Sequence, residues 1–138
     1  MTYQLGRVID HVHLRVSDLE ASRTFYRAIC TALNREDAWR DEGDHFMIDE
    51  LYFDAADDDV SRIHLAFQAS TAEDVDAFFR LTTAAGGRPN GAPGFRSYHN
   101  AYYAAFVLDP DGNNIEAVCD VSAVRDAVSV KVERIGTG

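Results

Sequence analysis

Apolar and polar residues alternate along two short stretches of the chain. Val12, Leu14 and Val16 alternate with His11, His13 and Arg15, and Leu65, Phe67 and Ala69 alternate with His64, Ala66 and Gln68. That period of two is the mark of a strand with one face buried. Each stretch runs into a segment with helical spacing, carrying Phe25-Tyr26 in one case and Phe78-Phe79 in the other. Ser17 with Glu20, and Ser70 with Glu73, read as capping boxes that open the two helices. The pattern predicts helices over about residues 18–33 and 71–85, the second stopped by Gly86-Gly87. His11 and His64, Ser17 and Ser70, Glu20 and Glu73, Phe25 and Phe78, and Arg27 and Arg80 are each 53 residues apart. A constant offset through strand and helix points to duplication of one supersecondary unit.

The rest of each unit is strand-like. Residues 46–54 read as one strand and residues 55–59, rich in aspartate, as the hinge between units. Residues 90–100, with Gly91, Pro93 and Gly94, read as an irregular loop. Tyr102 to Leu108 is a strand, Asp109-Pro-Asp-Gly112 a tight turn, and Asn114 to Asp120 the returning strand of a hairpin. The fold class is therefore α+β, with a β-α-β-β-β outline repeated over about residues 7–60 and 61–121. The tail, 122–138, is ambiguous. Val128, Val130 and Val132 alternate like an edge strand, whereas Arg125 and Asp126 fit a short helix. Parity places His11, His13 and Arg15 on the face away from the helix, as it does His64, Ala66 and Gln68. In the last strand Ile115, Ala117 and Cys119 form the apolar set, which leaves Glu116 on the helix-averted face.

Composition narrows the class. The 138 residues are one domain's worth of chain, and 46% hydrophobic residues suffice for a core. No apolar run approaches the length of a membrane span, and the N-terminus lacks a secretory pattern. Cys30 and Cys119 sit in apolar patterns and read as small core residues rather than a disulfide. These features predict a cytoplasmic protein. A formal net charge of −10 argues against a nucleic-acid partner, since no basic patch offsets phosphate repulsion. The acidic run Asp54, Asp57, Asp58 and Asp59 lacks the spacing and closing Glu of a calcium loop and reads as a solvated surface.

Three segments carry a resemblance to a known family. They are DHVHLRVSDLEASRTFY (10–26), HLAF (64–67) and LDPDGNNIEAV (108–118). In them the chain resembles the vicinal oxygen chelate superfamily, which joins glyoxalases, bleomycin-resistance proteins and extradiol dioxygenases. The resemblance implies two βαβββ modules forming a cupped, incompletely closed mixed β-barrel with the helices outside. It further implies one divalent metal per chain, held by His11, His64 and Glu116, with Glu50 (or its neighbour Asp49) as a possible fourth ligand. Two imidazoles and a carboxylate suit Fe2+, Mn2+, Zn2+, Ni2+ or Co2+ and leave coordination positions open. Such an ion would serve as a Lewis acid for a small, oxygen-rich substrate that chelates it, in a lyase, isomerase, thiol transferase or ring-cleaving dioxygenase. The alternative is a metal-free drug- or small-molecule-binding protein of bleomycin-resistance type. Family members mostly pair as homodimers, with modules paired inside one chain or exchanged between chains.

Other polar residues have two readings. His13 and Arg15 share the face of His11 and line the pocket. His99, Tyr98, Tyr102 and Tyr103 sit in or beside the 90–103 segment. His99 and Tyr103 are candidate proton carriers, and Tyr98 and Tyr102 candidate pocket walls; the bland reading is an aromatic lid. His45, in an acidic stretch, reads as surface.

Overall fold

The computed structural model describes residues 2–98, 101–124, 129–133 and 135–136. The chain runs β1 (Thr2–Leu5), β2 (Val12–Val16), α1 (Leu19–Ala32), a 3-10 turn (Glu36–Ala38), β3 (Trp39–Asp41), β4 (His45–Ile48) and β5 (Leu51–Ala55). It continues through β6 (His64–Gln68), α2 (Ala72–Ala84), β7 (Arg88–Arg96), β8 (Tyr102–Leu108), β9 (Asn114–Asp120) and β10 (Val130–Glu133). Two four-stranded sheets have the same plan, β2-β5-β4-β3 and β6-β9-β8-β7. In each, the first strand lies parallel to the last, and the other pairs are antiparallel. This is the duplicated βαβββ outline. Among the described residues no strand pairing joins the two sheets, so the barrel is not closed by hydrogen bonds.

Three local expectations are corrected, and one open reading is narrowed. The helices are capped one residue later than Ser17 and Ser70. Asp18 accepts from the Ala21 amide at 3.1 Å and Thr71 from the Asp74 amide at 3.1 Å. Asp and Thr are also favoured N-caps, and Ser17 is instead drawn to Asp111. Residues 46–54 are not one strand, because Asp49 adopts a left-handed φ of 47° and turns the chain into the β4-β5 hairpin. The segment read as an irregular loop overlaps most of β7, whose pairing with β8 slips twice, between Pro89 and Gly91 and between Gly91 and Gly94. Bulges of this kind absorb the Gly and Pro residues that a regular strand would reject. In the tail, Val130–Glu133 is a strand paired with β1; Arg125, Asp126 and Val128 lie outside the described residues.

The alternation seen in the sequence becomes burial. Leu14, Val16, Phe46, Phe53, Ile115 and Ala117 share one core with Phe25, Tyr26, Ile29, Val75 and Phe78 from the helices. Cys30 and Cys119 are both buried and free, and burial pushes the Cys30 thiol up to about 12. Gly87 lies where a Cβ would come within 2.5 Å of Val107 and 2.7 Å of Phe25, so only glycine lets α2 return this closely to β7. We expect Gly87→Ala to cost ~1–3 kcal/mol of stability by overpacking, measurable by denaturant unfolding.

The turn after β8 ties the modules together. Tyr26, from α1, donates its hydroxyl to Asp109 Oδ2 at 2.6 Å, and Asp109 also accepts from the amides of Asp111 and Asn113 and from the Asn113 side chain. Burial, then the Asp109 charge, holds the Tyr26 hydroxyl well above its usual 10. A tyrosine favoured neutral in the fold contributes stability that is complete below the unfolded-state value near 10 and lost as pH rises beyond it. Alkaline unfolding followed by circular dichroism should therefore begin above about pH 10, and Tyr26→Phe should flatten that loss.

Candidate metal and substrate site

The second sheet builds most of a site on its helix-averted face. Leu65 and Phe67 pack on the core, so His64 and Ala66 point the other way. The hairpin register Leu108↔Asn114 and Phe106↔Glu116 sets Phe106 beside Glu116 on that face. Glu116 is only 3% exposed, yet its carboxylate has partners on both oxygens. His64 Nε2 lies 3.0 Å from Oε1, and the Tyr102 hydroxyl donates to Oε2. His64 Nδ1 lies 2.9 Å from the Asn114 carbonyl.

These contacts constrain the chemistry. A carbonyl oxygen only accepts, so Nδ1 must carry the proton. The Nε2 lone pair of a neutral His64 then faces a carboxylate oxygen, and two acceptors cannot be left in contact. A positive centre belongs between them, either a second proton or a metal ion. An imidazole that donates its far N–H to a backbone carbonyl is the usual second-shell arrangement of a metal-binding histidine. The donor set therefore fits a divalent cation at His64 and Glu116.

His11 is not brought to this pair within the chain. It precedes β2, its side chain is 61% exposed, and its Nδ1 is held by Asp10 at 2.8 Å. Among the described residues no three His, Cys, Asp or Glu side chains are grouped to hold a metal. His13 and Arg15 lie on the helix-averted face of the first sheet, both tied to Asp54, His13 Nε2 at 2.7 Å and Arg15 Nε at 3.8 Å. His45 is not a plain surface residue, because its ring stacks on Tyr52 at 4.6 Å on that same sheet.

Strand register also shows where the fourth-ligand candidate lies. His13 corresponds to Ala66 in the repeat. Ala66 pairs with Glu116, and His13 pairs with Tyr52. Tyr52 thus stands in the first module where Glu116 stands in the second, between the rings of His13 and His45. Glu50 sits in the β4-β5 turn, its carbonyl accepting from the Val12 amide at 2.8 Å and its carboxylate against Gly6. Asp49 occupies the same turn, and burial raises its carboxyl above the usual range.

The adjacent tyrosines part company. Tyr102 faces Glu116, whereas Tyr103 faces α2 and donates to Asp76 at 2.6 Å, a bond that raises its hydroxyl above 10. Strand alternation thus takes Tyr103 away from the pocket. Tyr98 meets Tyr102 edge-on at 5.1 Å. His99 lies outside the described residues. Next to Tyr98 opens a cleft of about 270 Å³ lined by Asn90, Gly91, Arg96, Tyr98, Phe106 and Asn114. Asn90 and Arg96 belong to the 90–103 segment expected to form part of the pocket, though neither stands out in it by its own pattern, and Phe106 lies outside it. Only the closing register of the Leu108–Asn114 hairpin would have placed Phe106 beside Glu116.

Comparison with known proteins agrees with this architecture. The family model for the Glyoxalase/Bleomycin resistance protein/Dioxygenase superfamily matches residues 8–117, and the chain belongs to that superfamily. A glyoxalase/bleomycin resistance protein from Albidiferax ferrireducens T118 is 28% identical, with a TM-score of 0.64 over 80% of this chain and 97% of that one. The genomically encoded fosfomycin resistance protein FosX from Listeria monocytogenes is 21% identical, with a TM-score of 0.60 over 80% and 91%. The oxidase ChaP-H2 is 20% identical, with a TM-score of 0.58 over the same shares. No curated protein matches the chain. No helix among the described residues is long and apolar enough to cross a membrane.

Proposed function

We propose that this protein is a divalent-metal-dependent enzyme of glyoxalase or dioxygenase type, acting on a small oxygen-rich substrate that chelates the metal. One observation carries the reading. A buried carboxylate, Glu116, faces Nε2 of an imidazole whose other nitrogen is committed to a backbone carbonyl. His64 Nε2 and Glu116 Oε1 would hold the ion, with His11 as third ligand. The ion would supply Lewis-acid stabilisation of charge developing on a substrate oxygen. The Tyr102 hydroxyl, by occupying Oε2, orients the carboxylate so that Oε1 is presented beside His64. Tyr102 is also the nearest phenol to the reacting region and is the residue we assign to proton movement, in place of Tyr103. Superfamily membership and structural likeness to FosX and ChaP-H2 support enzyme chemistry on this scaffold.

His11 would come from a second copy of the chain. Its side chain is exposed, its Nδ1 is anchored by Asp10, and among the described residues β2 and β6 are unpaired sheet edges of the kind that proteins cover. A homodimer that sets the first module of one chain against the second module of its partner would complete two triads. Light scattering at micromolar concentration should show the dimer.

Metal analysis of protein purified without added metal tests the central reading. About one ion per chain is expected, displaced by chelator and followed by screening of chelating substrates with that metal. Protein that holds no metal, and binds none from a panel of first-row divalent ions, would move the reading to small-molecule binding of bleomycin-resistance type.

A further inference from the structure

From the cleft beside Glu116 we infer that the substrate carries an oxyanion, carboxylate or phosphonate, distal to its chelating oxygens, and that Arg96 binds it. The inference deepens the proposed function and rests on it for the reacting end of the substrate. The chain carries 23 acidic residues against 13 basic ones, yet no acidic side chain lines this cleft. Its one charged lining residue is Arg96, and none of the ion pairs among the described residues involves it. Arg96 is nevertheless held in place. One guanidinium nitrogen donates to the Ala92 carbonyl at 2.6 Å, and the group lies over the Phe106 ring at 5.4 Å. A cation fixed by a ring and a carbonyl, with N–H groups to spare, is preorganised for an anion.

The other polar groups agree in sign. Asn90 donates to Asn114 Oδ1 at 3.1 Å, which leaves the Asn114 amide with N–H groups to give, and Tyr98 adds a hydroxyl. The cleft is thus rich in donors, which suits an acceptor-only ligand group. It also communicates directly with the metal half-site. The Phe106 ring that carries Arg96 stacks on His64 at 6.3 Å, so a single ring separates the anion site from a proposed ligand. A cleft of about 270 Å³ lies below the usual range of roughly 300–1,000 Å³ for ligand pockets, which limits the substrate to a compact molecule.

Titration of the full-length chain with benzoate, phenylphosphonate and the uncharged isostere benzamide, by calorimetry or NMR, tests the inference. The protein is used as purified and again after chelator treatment. At least one anion should bind more tightly than benzamide by about tenfold or more in both preparations, the scale of a charge-assisted hydrogen bond. Which anion binds better separates a carboxylate substrate from a phosphonate one. Arg96→Met should remove the preference, and Arg96→Lys should restore part of it while both variants keep the wild-type melting profile. Glu116→Gln should lose metal and keep the preference, which separates failure of the metal reading from failure of this one. Equal binding of benzoate, phenylphosphonate and benzamide by wild type, or an undiminished preference in Arg96→Met, would overturn the inference.

Discussion

Glu116→Gln should strip the protein of its metal under a chelator concentration that wild type just survives. The substitution preserves shape and can still accept from Tyr102, so the fold should stay intact. What it removes is the anionic charge that a divalent ion needs, from a carboxylate only 3% exposed. Loss of an outer-shell partner alone weakens metal binding by about 10- to 100-fold, and loss of a charged ligand should exceed that. His64→Ala should have the same effect for a different reason. The imidazole is half exposed on the helix-averted face, while the core is filled by its neighbours Leu65 and Phe67, so its removal opens no cavity. Tyr102→Phe should lower affinity by about tenfold, in the range of outer-shell changes, because Glu116 Oε2 loses a donor while both ligands remain. Metal content after dialysis against chelator, read by mass spectrometry, orders the three variants. If Glu116→Gln and His64→Ala both retain stoichiometric metal, the assignment is wrong.

The stability of this arrangement depends on residues remote from the ligands. Asp109 is 2% exposed and accepts from Tyr26 and from the Asp111 and Asn113 amides, holding the turn that launches β9 and so Glu116. Asp109→Ala would leave a buried phenol and a buried amide without acceptors, a loss of ~3 kcal/mol in denaturant unfolding. Tyr26→Phe should be milder, since it removes the donor along with its need for a partner. Such a difference between the two variants would show that the cost lies in orphaned groups rather than in the bond itself.

How far the sequence reaches is shown by the two modules side by side. Strand and helix in each were legible because burial writes itself as periodicity. Val12, Leu14 and Val16 must face α1, and the same phase at Leu65 and Phe67 gives the duplication. The offset of 53 fails beyond the helices. Tyr52 follows its counterpart His13 by 39 residues, whereas Glu116 follows Ala66 by 50. Much of that difference sits in the third-from-last strand, three residues long in β3 and nine in β7. Gly91, Pro93 and Gly94 disguise β7 as a loop, because only pairing with β8 reveals that they lie in or beside bulges of a strand. Without that register the place of Tyr52 opposite His13 goes unnoticed. Tyr102 and Tyr103 pose the same problem on a smaller scale. Adjacent residues have opposite faces, and nothing in their own identity says which one meets Glu116. Cleft residues such as Arg96 are the least legible, since an arginine's role is decided by what it fails to pair with.

Mixing two defective chains should restore metal binding if the modules are exchanged between copies. His11→Ala damages only a first module, and Glu116→Gln only a second. Each homodimer then has two broken sites. In a mixed exchanged dimer, one site combines both defects, and the other joins an intact first module to an intact second module. Unfolding and refolding an equal mixture makes about half of the dimers mixed, so about a quarter of the wild-type number of sites should return. Modules paired inside one chain would restore none, because every chain would carry its own lesion. The exposed His11, anchored to Asp10 and separate from His64 and Glu116 in the single chain, is the feature that favours exchange. Recovery of metal near that fraction, with each parent variant refolded alone as the reference, would establish that the triad is assembled from two chains. Recovery indistinguishable from two metal-free parents would place each triad inside one chain, whereas a His11→Ala parent that keeps stoichiometric metal would exclude His11 as a ligand.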